Sequence, residues 1–269
     1  MRVSRRSALA TTVLLAFAGS VALAQDAKKE IEKYQKMIAE GSPVELFEIE
    51  GENLWKKKQG PINASLEQCD LGQGPGVLKD GYALLPRYFK DADRVMDLET
   101  RLLHCMMTLQ GRTREDSTKR VFGNEDRLSE MEYLSAFIAA QSQGREMAPG
   151  TEHPKEKESY ELGRKLFFHR AGPWDFSCAS CHGEEGKRIR MQDLPILSTP
   201  AAARPVVATW PAYRVSNSQF KTMQWRLNDC YRQMRMPEPN FASEVTVALK
   251  MFLTVTGKGE PYRGPGTKR

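Results

Sequence analysis

The stretch Cys178-Ala179-Ser180-Cys181-His182 constrains this chain more than any other feature of its sequence. It is a C-x-x-C-H motif, which is typical of the covalent attachment of a c-type haem. Cys178 and Cys181 would form thioether bonds to the haem, and His182 would be the proximal ligand of its iron. A redox or zinc C-x-x-C pair with an incidental histidine is the alternative. The sequence lacks a second cysteine pair for zinc, so the motif predicts one covalently bound haem c.

Residues 1–24 have the pattern of a cleaved export signal. An arginine-rich start precedes the apolar run 8–18, and Ala22-Leu23-Ala24 provides the small residues of a cleavage site before Gln25. The Arg5-Arg6 pair leaves twin-arginine export open, although haem attachment after translocation favours the general secretory route. No later stretch is long and apolar enough to cross a membrane. We therefore expect a periplasmic protein that does not bind a membrane.

The charge of the mature chain is modest. Loss of the three arginines of the leader lowers the formal net charge from +6 to +3. Such a balance suits a protein that docks to other proteins, and it gives little support to nucleic-acid binding, so we expect none. The remaining ~245 residues suit one large domain or two small ones.

The mature chain repeats one plan twice. A first block recurs 112 residues further on, where Gly51, Leu54, Trp55, Gly60 and Pro61 are matched by Gly163, Leu166, Phe167, Gly172 and Pro173. A second block recurs at an offset of 125, where Pro86, Tyr88, Arg101, Leu102 and Cys105 are matched by Pro211, Tyr213, Arg226, Leu227 and Cys230. Chance similarity between helices is the alternative, but two blocks in the same order favour a duplication.

The first copy lacks most of the haem motif, because Leu66 and Asp70 align with Cys178 and His182. The sequence therefore predicts a mainly α protein of two cytochrome c-like domains. Residues 25–150 would form a degenerate domain without haem, and residues 151–269 would form the haem-binding domain.

Apolar spacing predicts the helices of both copies. Steps of three and four residues indicate one helix over 95–109 and its counterpart over 220–234. A later helix is predicted in each copy, over 129–140 and 243–255. Residues 141–157 have the charge, glycine and proline content of a linker between the two copies.

Five cysteines are present, at positions 69, 105, 178, 181 and 230, and haem attachment uses two of them. Unpaired thiols are uncommon in an oxidising compartment, so a disulfide among the other three is expected. Cys69 aligns with Cys181 and Cys105 aligns with Cys230, which places Cys69 and Cys105 around one vestigial pocket and favours their pairing. A bond between Cys105 and Cys230 is the alternative, because spacing does not fix connectivity.

The iron position opposite His182 has three kinds of candidate ligand: a histidine elsewhere in the chain, Cys230, or a methionine. The methionines that follow the motif are Met191, Met223, Met234 and Met236. Cys230 lies on the apolar face of its predicted helix, and a thiolate there would be a strong anionic ligand. Arg226 lies one turn earlier on the same face, where its guanidinium would lower the thiol pKa and bind a small oxyanion.

Three stretches of this sequence resemble the SoxA family of cytochromes. They are Trp225–Cys230, Phe176–His182, and Pro86–Phe89 together with Arg94–Asp97. SoxA is the larger cytochrome subunit of the SoxAX complex of periplasmic thiosulfate oxidation. The resemblance runs from about residue 49 to about residue 257. Leu66 and Asp70 depart from the two-haem pattern of the family, so this chain is similar to its single-haem type.

The resemblance implies an L-cysteine S-thiosulfotransferase that joins thiosulfate to a cysteine of the SoxYZ carrier and passes electrons through haem to SoxX. It also implies that Cys230 is both an axial ligand and the catalytic sulfur, and that Arg226 binds substrate. Two other functions are open on the residues alone. One is a plain periplasmic electron-transfer cytochrome with a cysteine ligand, and the other is a peroxidase-like enzyme with an open iron site.

Overall fold

The computed structural model describes residues 43–116, 129–189 and 192–268. The predicted signal peptide, residues 1–24, and the candidate ligand Met191 lie outside these ranges. None of the helices in the described ranges combines the length and the apolar character needed to cross a bilayer.

The first copy is built from helices around a short hairpin. In chain order its elements are α1 (Val44–Lys56), a 3₁₀ turn (Tyr82–Leu84), β1 (Arg87–Phe89), β2 (Arg94–Met96), α2 (Leu98–Thr108) and α3 (Glu130–Ala140).

The second copy follows the same order with additions. Its elements are α4 (Pro154–Phe168), α5 (Cys178–His182), β3 (Arg188–Ile189), β4 (Gln192–Asp193), α6 (Pro200–Val207), β5 (Ala212–Arg214), a 3₁₀ turn (Val215–Asn217), β6 (Gln219–Lys221), α7 (Met223–Gln233), α8 (Glu244–Thr256) and β7 (Gly266–Lys268). Strand β7 runs parallel to β5, and the first copy has no counterpart of it among the described residues.

The hairpin β1–β2 of the first copy and the hairpin β5–β6 of the second copy share one register. Arg87 pairs with Met96 in the first hairpin, and Ala212 pairs with Lys221 in the second. Both members of the second pair lie 125 residues beyond their counterparts. The offset read from the sequence therefore also relates the strand pairings of the two copies.

Each copy packs its first helix against its last through a glycine. Helix α1 packs on α3, and α4 packs on α8. A Cβ atom at Gly51 would lie 2.1 Å from the carbonyl oxygen of Tyr133, and one at Gly163 would lie 1.9 Å from that of Ala248. Only glycine allows the two backbones to approach so closely.

One hydrophobic core runs through both copies, and Pro43–Arg269 form one compact unit. Two buried lysines of the second copy also form ion pairs with carboxylates of the first copy. Lys221 Nζ lies 2.9 Å from Glu132 Oε1, and Lys250 Nζ lies 3.4 Å from Asp97 Oδ2. In both pairs a lysine of the second copy neutralises a carboxylate of the first, so the copies are joined by charge as well as by apolar packing.

The predicted helices over 129–140 and 243–255 are confirmed with small shifts, as α3 and α8. The other two predicted helices begin later than expected, because residues 94–96 and 219–221 are strands. Helix α2 is capped by the Asp97 side chain and α7 by the Thr222 side chain.

The predicted linker is only partly a linker. Residues 141–153 form no helix, and α4 begins at Pro154. However, Met147 is only 2% exposed, and its backbone N–H donates to the carbonyl oxygen of Glu260 at 2.9 Å. The segment is therefore packed against the C-terminal part of the chain.

Candidate functional site

Helix α5 carries the C-x-x-C-H motif, and its first residues are fixed by a capping box. The Ser177 side chain accepts a hydrogen bond from the Ser180 N–H at 3.2 Å, and the Ser180 side chain accepts one from the Ser177 N–H at 3.0 Å. Cys178, Cys181 and His182 all line one cavity. A short helix with a fixed start thus holds both thiols and the imidazole at the same cavity.

The His182 imidazole is held in one tautomer. Its Nδ1 lies 2.7 Å from the carbonyl oxygen of Pro195, which can only accept, so Nδ1 carries the proton and Nε2 keeps a free lone pair. Burial lowers the pKa of His182, and the hydrogen bond to Pro195 opposes this shift without reversing it. The imidazole is therefore neutral at pH 7 and able to bind a metal through Nε2.

Helix α7 places Arg226 and Cys230 at the same cavity, one turn apart. The cavity has a volume of about 450 Å³. Much of its remaining wall is apolar and includes Phe167, Leu197, Val207, Trp210, Leu249 and Leu253. Cys178, Cys181 and Cys230 all carry free thiols.

These residues fit a covalently bound c-type haem. The cavity has the size and the apolar wall of a cofactor site. Two free thiols stand at the attachment spacing, and the neutral histidine that follows them has Nε2 available. Cys178 and Cys181 would hold the group, and His182 and Cys230 are the candidates for its axial positions.

Burial raises the pKa of the Cys230 thiol, although the Arg226 guanidinium pulls that pKa down. The Asp229 carboxylate raises the pKa further and is itself in contact with Arg226 through Nη1 and Oδ2. The contribution of Arg226 has the predicted direction, but burial outweighs it, so the pKa of the Cys230 thiol is raised overall. Burial also raises the pKa of Cys178, to about 12.

Three charged residues at or beside the cavity were missed by the sequence reasoning. Asp229 contacts Arg226, while Arg214 on β5 and Lys268 on β7 both line the cavity and pair directly across the two strands. The offset of 125 offers a signal for Arg214, because it aligns Arg214 with Phe89 and so shows a cation in the second copy where the first copy has an aromatic residue. Lys268 has no sequence signal, because β7 lies outside the repeat.

The equivalent region of the first copy has different chemistry. A disulfide joins Cys69 and Cys105. Arg101, the counterpart of Arg226, lies with its guanidinium 4.2 Å from the centre of the Phe89 ring and pairs with Asp91 at 2.7 Å. These residues offer neither a free thiol nor the motif histidine, so they do not fit a c-type haem.

Comparison with known proteins identifies the family of this chain. The family described as SoxA/TsdA, cytochrome c domain, matches residues 50–147. The L-cysteine S-thiosulfotransferase subunit SoxA of Hydrogenophilus thermoluteolus is 50% identical over 241 residues, which cover 90% of this chain and 88% of the relative. This chain belongs to the SoxA family. The subunit of the same name from Hydrogenobacter thermophilus is 34% identical over 261 residues, or 95% of this chain and 97% of the relative.

A solved structure shows the same fold. The crystal structure of SoxXA from P. pantotrophus matches with a TM-score of 0.71 at 22% identity, and the match covers 88% of this chain and 84% of that chain. The mainly α cytochrome fold expected from the sequence is thereby confirmed. As a SoxA protein with a cytochrome c domain, the chain binds haem c.

Proposed function

We propose that this SoxA protein joins thiosulfate oxidatively to a cysteine of the SoxYZ carrier, as an L-cysteine S-thiosulfotransferase that acts with the cytochrome SoxX. The observation that carries the proposal is the shared cavity of the C-x-x-C-H motif, Arg226 and the free thiol of Cys230. The names of the relatives at 50% and 34% identity support the same activity.

Cys230 is the sulfur that reacts in this proposal. A bond forms between its thiolate sulfur and the terminal sulfur of thiosulfate, and two electrons leave. The thiolate of the carrier cysteine then attacks this bond on the thiosulfate side, takes the thiosulfate group and releases Cys230 as thiolate. Arg226 binds the sulfonate oxygens, because a guanidinium offers paired N–H donors to such a group.

The two electrons need an acceptor near Cys230. When bound, haem c accepts electrons one at a time and can pass them to SoxX. We assign its covalent attachment to Cys178 and Cys181 and its axial ligation to His182 and Cys230, with one haem per chain.

The remaining assignments belong to the same proposal. Residues 1–24 are a cleaved signal, and the mature protein works in the periplasm. Residues 25–150 are a degenerate cytochrome c-like domain that serves as scaffold, with the Cys69–Cys105 disulfide in place of haem. Residues 151–269 are the haem domain.

The test is mass spectrometry of the peptide that contains Cys230, before and after the SoxA–SoxX complex is incubated with thiosulfate and an electron acceptor. We expect the mass of a thiosulfate-derived group on Cys230, and its absence in Arg226→Ala. A Cys230→Met variant should keep haem and electron transfer but lose conjugation to SoxYZ. If Cys230→Met conjugates as the wild type does, Cys230 is not the reacting sulfur. If the wild-type complex transfers electrons but conjugates no thiosulfate, the plain electron-carrier function replaces the proposal.

A further inference from the structure

We propose that Arg214 is a second anion-binding residue of the thiosulfate site and holds the dianion together with Arg226. This inference deepens the proposed function and rests on it for the identity of the anion. Arg214 is the last residue of β5 and lines the same cavity as Arg226 and Cys230.

The Arg214 guanidinium has an unused donor. Its Nε is buried and has no hydrogen-bond partner, while Nη2 donates to Ser216 Oγ at 3.4 Å. Among the residues that the structure describes, no carboxylate forms an ion pair with Arg214. A buried N–H without an acceptor is unfavourable, so the position favours an anion that supplies one.

Arg226 alone is a weak site for a doubly charged anion. Its guanidinium contacts Asp229, whose carboxylate offsets its charge. Arg232 also reaches Asp229, at 3.5 Å, but carries a second acidic partner in Glu238 at 2.7 Å. Lys268 also lines the cavity, and its Nζ donates to Thr209 Oγ1 at 2.6 Å. Arg214 is therefore the cavity-lining arginine that an anionic substrate can neutralise without competing with an ion pair.

Arg214 and Arg226 carry like charges at one cavity. Burial lowers the pKa of Arg214, and the charge of Arg226 lowers it further. An anion between the two guanidinium groups would relieve this repulsion.

The first copy provides an internal comparison. Phe89 stands at the hairpin position of Arg214, since Phe89 pairs with Arg94 and Arg214 pairs with Gln219. In the first copy this phenylalanine lies against Arg101, the counterpart of Arg226. The copy that keeps a free thiol thus has a cation where the disulfide-bonded copy has an aromatic ring.

The experiment uses the SoxA–SoxX complex with haem bound. Arg214→Gln removes the charge at similar length, Arg214→Lys keeps the charge without the paired donors, and Arg164→Gln is the control. Arg164 is an exposed arginine of α4 that pairs with Glu161 at 2.9 Å and does not line the cavity. Thiosulfate binding is measured by calorimetry, and haem content and reduction potential are measured on the same samples.

We expect Arg214→Gln to weaken thiosulfate binding roughly tenfold, Arg214→Lys to lie between it and the wild type, and Arg164→Gln to have no effect. Haem content should not change. If Arg214→Gln binds thiosulfate normally, the inference is overturned. If Arg214→Gln loses haem, Arg214 serves haem binding and the inference is also overturned.

The same samples separate this inference from the proposed function. Thiosulfate binding that depends on Arg214, without conjugation to the carrier in the wild type, would overturn the proposed function and keep the anion site. Normal conjugation in the wild type, with equal thiosulfate binding in Arg214→Gln, would overturn only the anion site. A wild-type complex that binds no thiosulfate would overturn both.

Discussion

A disulfide joins Cys69 to Cys105, two residues 36 positions apart in the chain. The offsets of 112 and 125 place these cysteines where the second copy has Cys181 and Cys230. Two residues of the haem cavity thus correspond to two residues that are covalently joined in the other copy. The disulfide closes the region in which the first copy would otherwise need a cofactor to fill space.

Removing this disulfide should destabilise the protein without removing haem. A Cys69→Ser/Cys105→Ser variant should lose roughly 4 kcal/mol of unfolding free energy, because the bond restricts the unfolded chain over a long loop. Denaturant unfolding monitored by circular dichroism measures the loss, and the Soret absorbance per chain measures haem content. A large loss of haem at full stability would contradict the scaffold role of the first copy.

Substitution of either glycine at the helix crossings should lower stability by a similar amount, but the two substitutions should differ in their effect on haem content. Gly51→Ala and Gly163→Ala each place a methyl group against a carbonyl oxygen of the facing helix. Overpacking should cost about 1–3 kcal/mol and outweigh the better helix propensity of alanine.

Gly163→Ala alone should also lower haem incorporation, because α4 and α8 supply Phe167, Leu249 and Leu253 to the cavity. Glu158→Ala, an exposed position of α4, is the matched control and should change neither quantity. Equal haem loss in Gly51→Ala and Gly163→Ala would show that the two copies respond as one.

Replacing Lys250, the buried lysine between the copies, should lower the unfolding free energy more than replacing a carboxylate that pairs with it. Lys250 lies against both Asp97 and Glu99, and all three side chains are buried. Lys250→Met leaves two carboxylates without a cation and should cost about 3–5 kcal/mol. Glu99→Gln should cost less, since Asp97 and Lys250 then form a neutral pair. Equal losses in the two variants would contradict this ranking.

The Glu99 carboxyl should also make the stability of the protein depend on pH. Burial raises the pKa of Glu99 above its usual 4.5, and Asp97 adds to the shift. The folded state therefore binds this proton more tightly than the unfolded state does. The contribution of Glu99 to stability is fully present below about pH 4.5 and is lost as the pH rises through the folded-state pKa. Glu99→Gln should flatten this fall when unfolding midpoints are compared from acid to neutral pH.

The sequence predicted the repeat and four of the eight helices of the described residues, because apolar periodicity and residue offsets can be read from a single sequence. It missed the hairpins, since strands of three residues are too short to show an alternation. It predicted the direction in which Arg226 shifts the pKa of the Cys230 thiol, but not the larger opposing effect of burial. Desolvation and the Asp229 carboxylate depend on three-dimensional burial, which spacing along α7 does not reveal.

Asp229 should weaken the anion site that it borders. Its carboxylate contacts Arg226 and opposes an incoming dianion, so Asp229→Asn should lower the KM for thiosulfate at low ionic strength. The effect should shrink as salt is added, because screening weakens the repulsion between the Asp229 carboxylate and a dianion that approaches from solvent. Glu238→Gln is the matched control, since Glu238 pairs with Arg232 and is exposed.

A salt series on Asp229→Asn distinguishes a carboxylate that orients Arg226 from one that repels the substrate. If the carboxylate serves mainly to orient Arg226, Asp229→Asn should raise KM at every salt concentration, because the guanidinium loses its fixed direction. Steady-state conjugation of thiosulfate to SoxYZ, measured over a salt series, distinguishes the two effects. If the KM of Asp229→Asn is below that of the wild type in low salt and equal to it in high salt, the Asp229 carboxylate weakens substrate binding by electrostatic repulsion.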